Sequence, residues 1–177
     1  MTLSMFQAAV PPSLQVMSTL AGVLTKAAAH CEARKIDQAV LLGCRLFPDM
    51  FALTRQIQVA ADFAKGGCAR VAGIDAPKFT DTETSFAELQ TRLDRTTDFI
   101  RTLTPDQIDG SEEREINIRI AGREMRFQGQ PYLLQFMLPN LYFHATAAYA
   151  ILRHNGVEIG KRDFIGVVPG LDHQGPS

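Results

Sequence analysis

The sequence predicts an all-α fold, a four-helix bundle with one β-hairpin inserted before the last long helix. Apolar residues recur at three- and four-residue spacing along most of the chain. That period gives way once to strict alternation, between Arg114 and Phe127. Helix start and stop residues punctuate the long segments. At 177 residues the chain is long enough for one well-buried core and short for two. A single domain is therefore expected over residues 1–170, with 171–177 as a flexible tail.

The first helix is expected from Pro12 to Ala33, where Leu14, Met17, Leu20, Ala21, Leu24 and Ala28 form one stripe. A short helical turn at Leu3–Ala9 leads into it, because Pro11 and Pro12 suit a first turn better than a helix interior. A short connector follows within Lys35–Leu46. Pro48 and Asp49 then mark the start of the second long helix, which Gly73 closes. This helix carries apolar or small residues on most faces and should be the most buried. Ala60, Ala61, Ala64, Gly67 and Cys68 would let a neighbour approach closely. Gly66–Gly67 is no phosphate loop, since no GK[ST] follows it.

A linker containing Pro77 leads to the third helix, whose start is marked by Ser85 and Glu88 at capping-box spacing. Phe86, Leu89, Leu93, Thr96, Ile100 and Leu103 form its stripe, and Thr104-Pro105 begins one more short turn. In the hairpin, Ile116, Ile118 and Ile120 alternate with polar residues and face Met125 and Phe127 across a turn at Ala121–Arg123. An isolated hairpin is marginal in water, so its apolar face must lie on the bundle or on a partner. Pro139 predicts a break or kink, with a helix from Asn140 to His154 after it and Asn155–Gly156 as its cap. The segment beyond lacks helical period and should wrap over the surface, with Lys161, Arg162 and Asp163 anchoring it by ion pairs or, alternatively, binding an anionic ligand.

Composition narrows the function. A formal net charge of -1 offers no field to draw a polyanion, so no nucleic-acid partner is expected. The longest apolar stretches are too short to span a bilayer, and the first residues lack a secretory pattern. A cytoplasmic protein without membrane contact is expected. Cys31, Cys44 and Cys68 form no CxxC pair and are read as free thiols. No Ser–His–Asp, Walker or dinucleotide signature is present.

Two long strings carry a resemblance: FPDMFALTRQIQVAADFAKGGCARVAG and PNLYFHATAAYAILRHNGVEIGKRDFIG. They resemble the signature of a bacterial family catalogued only as a domain of unknown function, over about Met5 to Gly166. That family in turn resembles the DinB-like helical bundles, which include thiol-dependent transferases and isomerases and metalloenzyme candidates. The resemblance implies a metal site with one His on the second helix and two, four residues apart, on the last. Three ligands and an open water position suit a catalytic divalent metal such as Zn or Ni. On this sequence His144 falls at the second position of the pair, Asn140 at its partner and Gln56 at the second-helix position. One imidazole of three is thus kept, and amide carbonyls are poor ligands beside it.

His144 and Asn140 are one turn apart, on a face shared with Met137 and Ala148. His144 reads as a hydrogen-bonded core histidine, a polar ligand-site group or a metal ligand. Arg55, Gln56 and Asp62 interrupt an otherwise buried helix, and a buried arginine needs an acidic partner. The hydroxyls of Tyr142 and Tyr149 could meet a ligand or simply pack. The leading expectation is a small-molecule site between helices, lined by Arg55, Gln56, Asn140, Tyr142 and His144. Its alternatives are a Zn- or Ni-dependent thiol transferase or isomerase with His144 as a ligand, and an interaction protein that dimerises through the hairpin and last helix. A homodimer is the expected assembly and is compatible with all three.

Overall fold

Ser4 opens the first helix through a capping box, its hydroxyl accepting from the Gln7 amide while the Gln7 side chain accepts from the Ser4 amide. The computed structural model describes residues 3–120 and 122–170, so the expected tail at 171–177 and Ala121 of the hairpin turn lie outside the described residues. From that cap α1 runs unbroken over Met5–Arg34, with Pro11 and Pro12 inside it. This corrects the expected start at Pro12. Two donors are lost at the prolines, yet Ala9, Val10, Ser13, Val16 and Met17 are all buried around them. Tertiary packing outweighs the local preference here.

Asp37 caps the short α2 (Gln38–Leu42). The next helix, α3 (Leu53–Ala72), begins at Leu53 rather than at Pro48. Its first turn finds its partners on the preceding element: the Leu53 amide donates to the Cys44 carbonyl at 2.9 Å, and the Thr54 hydroxyl donates to the Leu42 carbonyl at 3.3 Å. The loop before it has to fold back to make those bonds. Gly73, at φ 71°, ends α3 in the left-handed region as expected. Ser85 and Glu88 exchange both capping-box bonds at the start of α4 (Phe86–Arg101), and α5 (Pro105–Ile108) adds one turn.

β1 (Glu115–Ile120) pairs antiparallel with β2 (Arg123–Gln128), placing Ile116 opposite Phe127 and Ile118 opposite Met125. The base of the hairpin packs on the bundle. Ile116 is buried, Ile118 and Phe127 lean on the core, and the Phe127 ring meets Tyr132 and Phe136 at 5.6 and 5.1 Å. Ile120 and Met125, nearer the tip, remain exposed.

The chain then turns through α6 (Gly129–Pro131) into a π-helical segment, Tyr132–Met137, and on into α7 (Leu138–His154). Of the break or kink expected at Pro139, a break does not occur, since the helical path is continuous there. Leu138 N–H reaches back five residues to the Leu133 carbonyl, and the widened turn lets the proline ring follow it. α1, α3, α4 and α7 form the bundle. α3 comes especially close to the end of the π segment at Gly67, where a Cβ would collide with the Met137 side chain. After α7, Val157 and Ile159 are buried and α8 (Lys161–Ile165) lies on α1, held by Lys26 and Asp163 at 2.6 Å. Tyr149 packs edge-on against Phe164 of this element.

An ionic cluster ties the linker before α4 to the bundle. Arg92, only 2% exposed, reaches Asp62 at 3.0 Å, Asp81 at 2.9 Å and Glu83 at 2.9 Å. Gln58 also donates to Glu83, Lys65 pairs with Asp62, and Arg55 pairs with Asp81. A buried guanidinium is tolerated only with such partners.

Candidate functional site

Gln56 and His144 meet between α3 and α7, one from each of the two closest helices. The His144 Nδ1 lies 2.7 Å from Gln56 Oε1, and the Gln56 amide nitrogen donates to the Phe51 carbonyl at 3.2 Å. That second bond fixes the amide orientation, so Oε1 is the acceptor and Nδ1 carries the proton. The lone pair is left on Nε2. Among the described residues Nε2 has no hydrogen-bond partner, and it is not one of the fully buried unpartnered atoms, so it keeps contact with solvent.

Aromatic rings frame the imidazole. Phe51 and Phe63 stand nearly parallel to it at 6.2 and 5.9 Å, and Phe143 meets it edge-on at 5.2 Å. Phe51 and Phe143 are themselves exposed on their outer sides. Burial, and then the charge of nearby Arg55, hold His144 below the ordinary imidazole range. The ring is neutral at pH 7 and is built to accept a hydrogen bond.

The other expected residues are placed differently. Asn140 turns its amide back onto its own helix, donating to the Phe136 carbonyl at 2.7 Å beside the turn that Pro139 leaves short of a donor. Arg55 pairs with Asp81, and its guanidinium lies 5.8 Å from the Phe51 ring centre, at the rim. Tyr142 is exposed; two residues from His144, it points from a different helix face. The framing phenylalanines were not singled out from sequence. Phe63 lies seven residues after Gln56, two turns along the same face, and that spacing is the signal that could have found it.

These side chains do not fit the three-ligand metal site that the resemblance implies. The Gln56 oxygen is taken up by His144 Nδ1, the Asn140 amide turns back to the Phe136 carbonyl, and no group of three His, Cys, Asp or Glu able to hold an ion occurs among the described residues, which leaves the His144 Nε2 as a single imidazole donor. Cys31, Cys44 and Cys68 are free, as expected. No described helix is long and apolar enough to cross a membrane.

The family model described as "Domain of unknown function (DUF1993)" matches residues 5–165. Among solved structures, the crystal structure of a DinB family member protein from Shewanella denitrificans is similar, with 37% sequence identity, 94% of each chain covered and a TM-score of 0.84. No curated protein matches the chain. With its family match spanning the bundle from α1 to α8 and a DinB-like fold around it, the chain belongs to the DUF1993 family.

Proposed function

We propose that the protein binds a small organic molecule at the α3–α7 seam, with His144 Nε2 accepting a hydrogen bond from it. The Gln56–His144 bond carries this reading, because it spends a buried amide on fixing one tautomer of one imidazole. A neutral ring held that way selects a ligand with an O–H or S–H donor. Phe51, Phe63 and Phe143 supply the apolar surroundings for its carbon body. Arg55, paired with Asp81, closes the rim beside Phe51. Free thiols suit a cytoplasmic setting.

Phenol and 2-mercaptoethanol serve as probes, with the His144 ring followed by NMR. Saturable shifts of that ring are expected, together with a titration below the ordinary imidazole range. Both the ligand shifts and any ligand-dependent thermal stabilisation should vanish in His144→Phe, which keeps a ring in the stack. If neither probe perturbs His144, or if binding survives His144→Phe, the assignment is wrong. The thiol-transferase alternative requires a metal centre that these side chains do not supply. Retention of about one equivalent of Zn or Ni by untagged protein would reinstate it. The homodimer rests on exposed Leu134, Tyr142 and Phe143 of the last helical stretch, and sedimentation decides it.

A further inference from the structure

The linker between α3 and α4 is attached to the bundle almost entirely through charge. Residues 75–83 have no regular secondary structure, and none of them is buried. No backbone amide of 75–82 donates to a backbone carbonyl among the described residues. Apolar burial and backbone pairing, which hold the helices, therefore contribute little here. Phe79 is the largest apolar group of the segment, and cations surround it. Its ring centre lies 3.9 Å from Lys65 Nζ, and 4.1 and 5.7 Å from the guanidinium carbons of Arg95 and Arg92. Asp81 and Glu83 each reach Arg92 at 2.9 Å, and the Thr80 carbonyl accepts from it at 3.3 Å.

Lifting this segment would strand no charge in the bundle. Asp62, on α3, keeps both Arg92 at 3.0 Å and Lys65 at 3.2 Å, while Asp81 and Glu83 pass into water. What changes is Lys65. Its side chain is 7% exposed although it borders a groove of about 560 Å³ on α3, because the linker from Ile74 to Phe79 forms the facing wall. With Phe79 lifted, the ammonium group faces solvent.

We propose that residues 75–83 form a strap, latched to α3 and α4 by charge, that opens as a unit over a folded bundle and so gates chemical access to the Lys65 amine. Its ends are fixed. The Ile74 amide donates to the Ala69 carbonyl and the Thr84 amide to Glu88, so opening stops at both helix termini. The strap does not depend on the reading of His144.

Acetylation of amines in the full chain, resolved by peptide mass spectrometry, tests the assignment, with exposed Lys35 and Lys161 as references in the same molecule. Lys65 should react at least about a hundredfold more slowly than they do, and trypsin should cut first after Lys78, inside the strap. Raising NaCl from about 0.05 to about 1 M should speed Lys65 acetylation about fivefold relative to the references, since salt screens the latch. Asp81→Asn should speed both Lys65 acetylation and cleavage after Lys78 about tenfold. Cys68, fully buried on the same helix, should stay unreactive throughout, which separates strap opening from unfolding. Three results overturn the proposal: Lys65 reacting as fast as the references, no response of Lys65 to salt or to Asp81→Asn, or Lys65 and Cys68 becoming reactive together. The salt series needs no variant, so a poorly folded Asp81→Asn would not blunt the test.

Discussion

Substituting methionine for Arg92 removes the charge at the centre of the α3–α4 cluster while keeping an unbranched chain. Three carboxylates lose a partner, but they are not equally harmed. Asp62 and Asp81 have side chains 41% and 40% exposed, and they keep Lys65 and Arg55 respectively. Glu83, with its side chain 11% exposed, keeps the Gln58 amide and its own backbone N–H but no cation, and becomes a nearly buried charge without a counter-charge. Breaking a buried ion pair from one side costs about 3–5 kcal/mol, and with one stranded carboxylate the low end, about 3 kcal/mol at neutral pH, is expected. For a chain of this size that lowers Tm by about 6–12 °C.

The loss should depend on pH in a defined direction. Burial pushes the Glu83 carboxyl up, but the hydrogen bonds from Arg92 and Gln58 and the Arg92 charge outweigh it and hold the group below the usual carboxylate range. Its stabilising contribution is therefore full above that range and is lost as pH falls through it. In Arg92→Met only burial, the Gln58 amide and the backbone N–H of Glu83 itself remain, so acid relieves the variant instead of harming it. The gap between the two proteins should shrink from about 3 kcal/mol near pH 7 to below about 1 kcal/mol near pH 4. Urea unfolding followed by circular dichroism at both pH values measures it. A loss under about 1 kcal/mol at neutral pH, or a gap that widens on acidification, refutes the reasoning.

Gly67→Ala should destabilise the protein by about 1–3 kcal/mol, because the new methyl meets Met137 in a seam with no room for it. Adding Met137→Ala should recover part of that loss, and a double-mutant cycle showing simple additivity would exclude the contact as the cause. Thiol labelling of the native protein should modify Cys44 first, since it is partly exposed and Cys31 and Cys68 are buried. Cys68, pushed up to about 11 by burial despite its bond with Ser13, should react only on unfolding. Rapid labelling of Cys68 in folded protein would contradict its placement.

Sequence pattern reaches those features that are local. The capping box at Ser85 and Glu88, the Gly73 stop and the alternating hairpin each depend on a few adjacent residues, and all three are present as read. Where it fails, a distant group decides. Pro48 looks like a helix start, but the first donors of α3 find their acceptors at Cys44 and Leu42, so the helix begins where those carbonyls are. Pro11 and Pro12 look like a boundary, yet Ser4 and Gln7 start the helix earlier and the core holds it through. The site divides the same way. Gln56 and His144 face each other across the seam, a placement that the family pattern suggested; Asn140, from the same pattern, is drawn away by a carbonyl that only the π segment explains. The Arg70–Tyr132 bond is not legible in the sequence because its two residues lie 62 positions apart on separate elements.

The π segment also sets the angular bookkeeping of the whole last helical stretch. One surplus residue in Tyr132–Met137 offsets everything upstream by about 100° against a regular α-helix. Were that residue deleted, Tyr132 could no longer meet Arg70 while His144 meets Gln56. A single irregular turn thus lets one rod hold both polar grips on α3 at once.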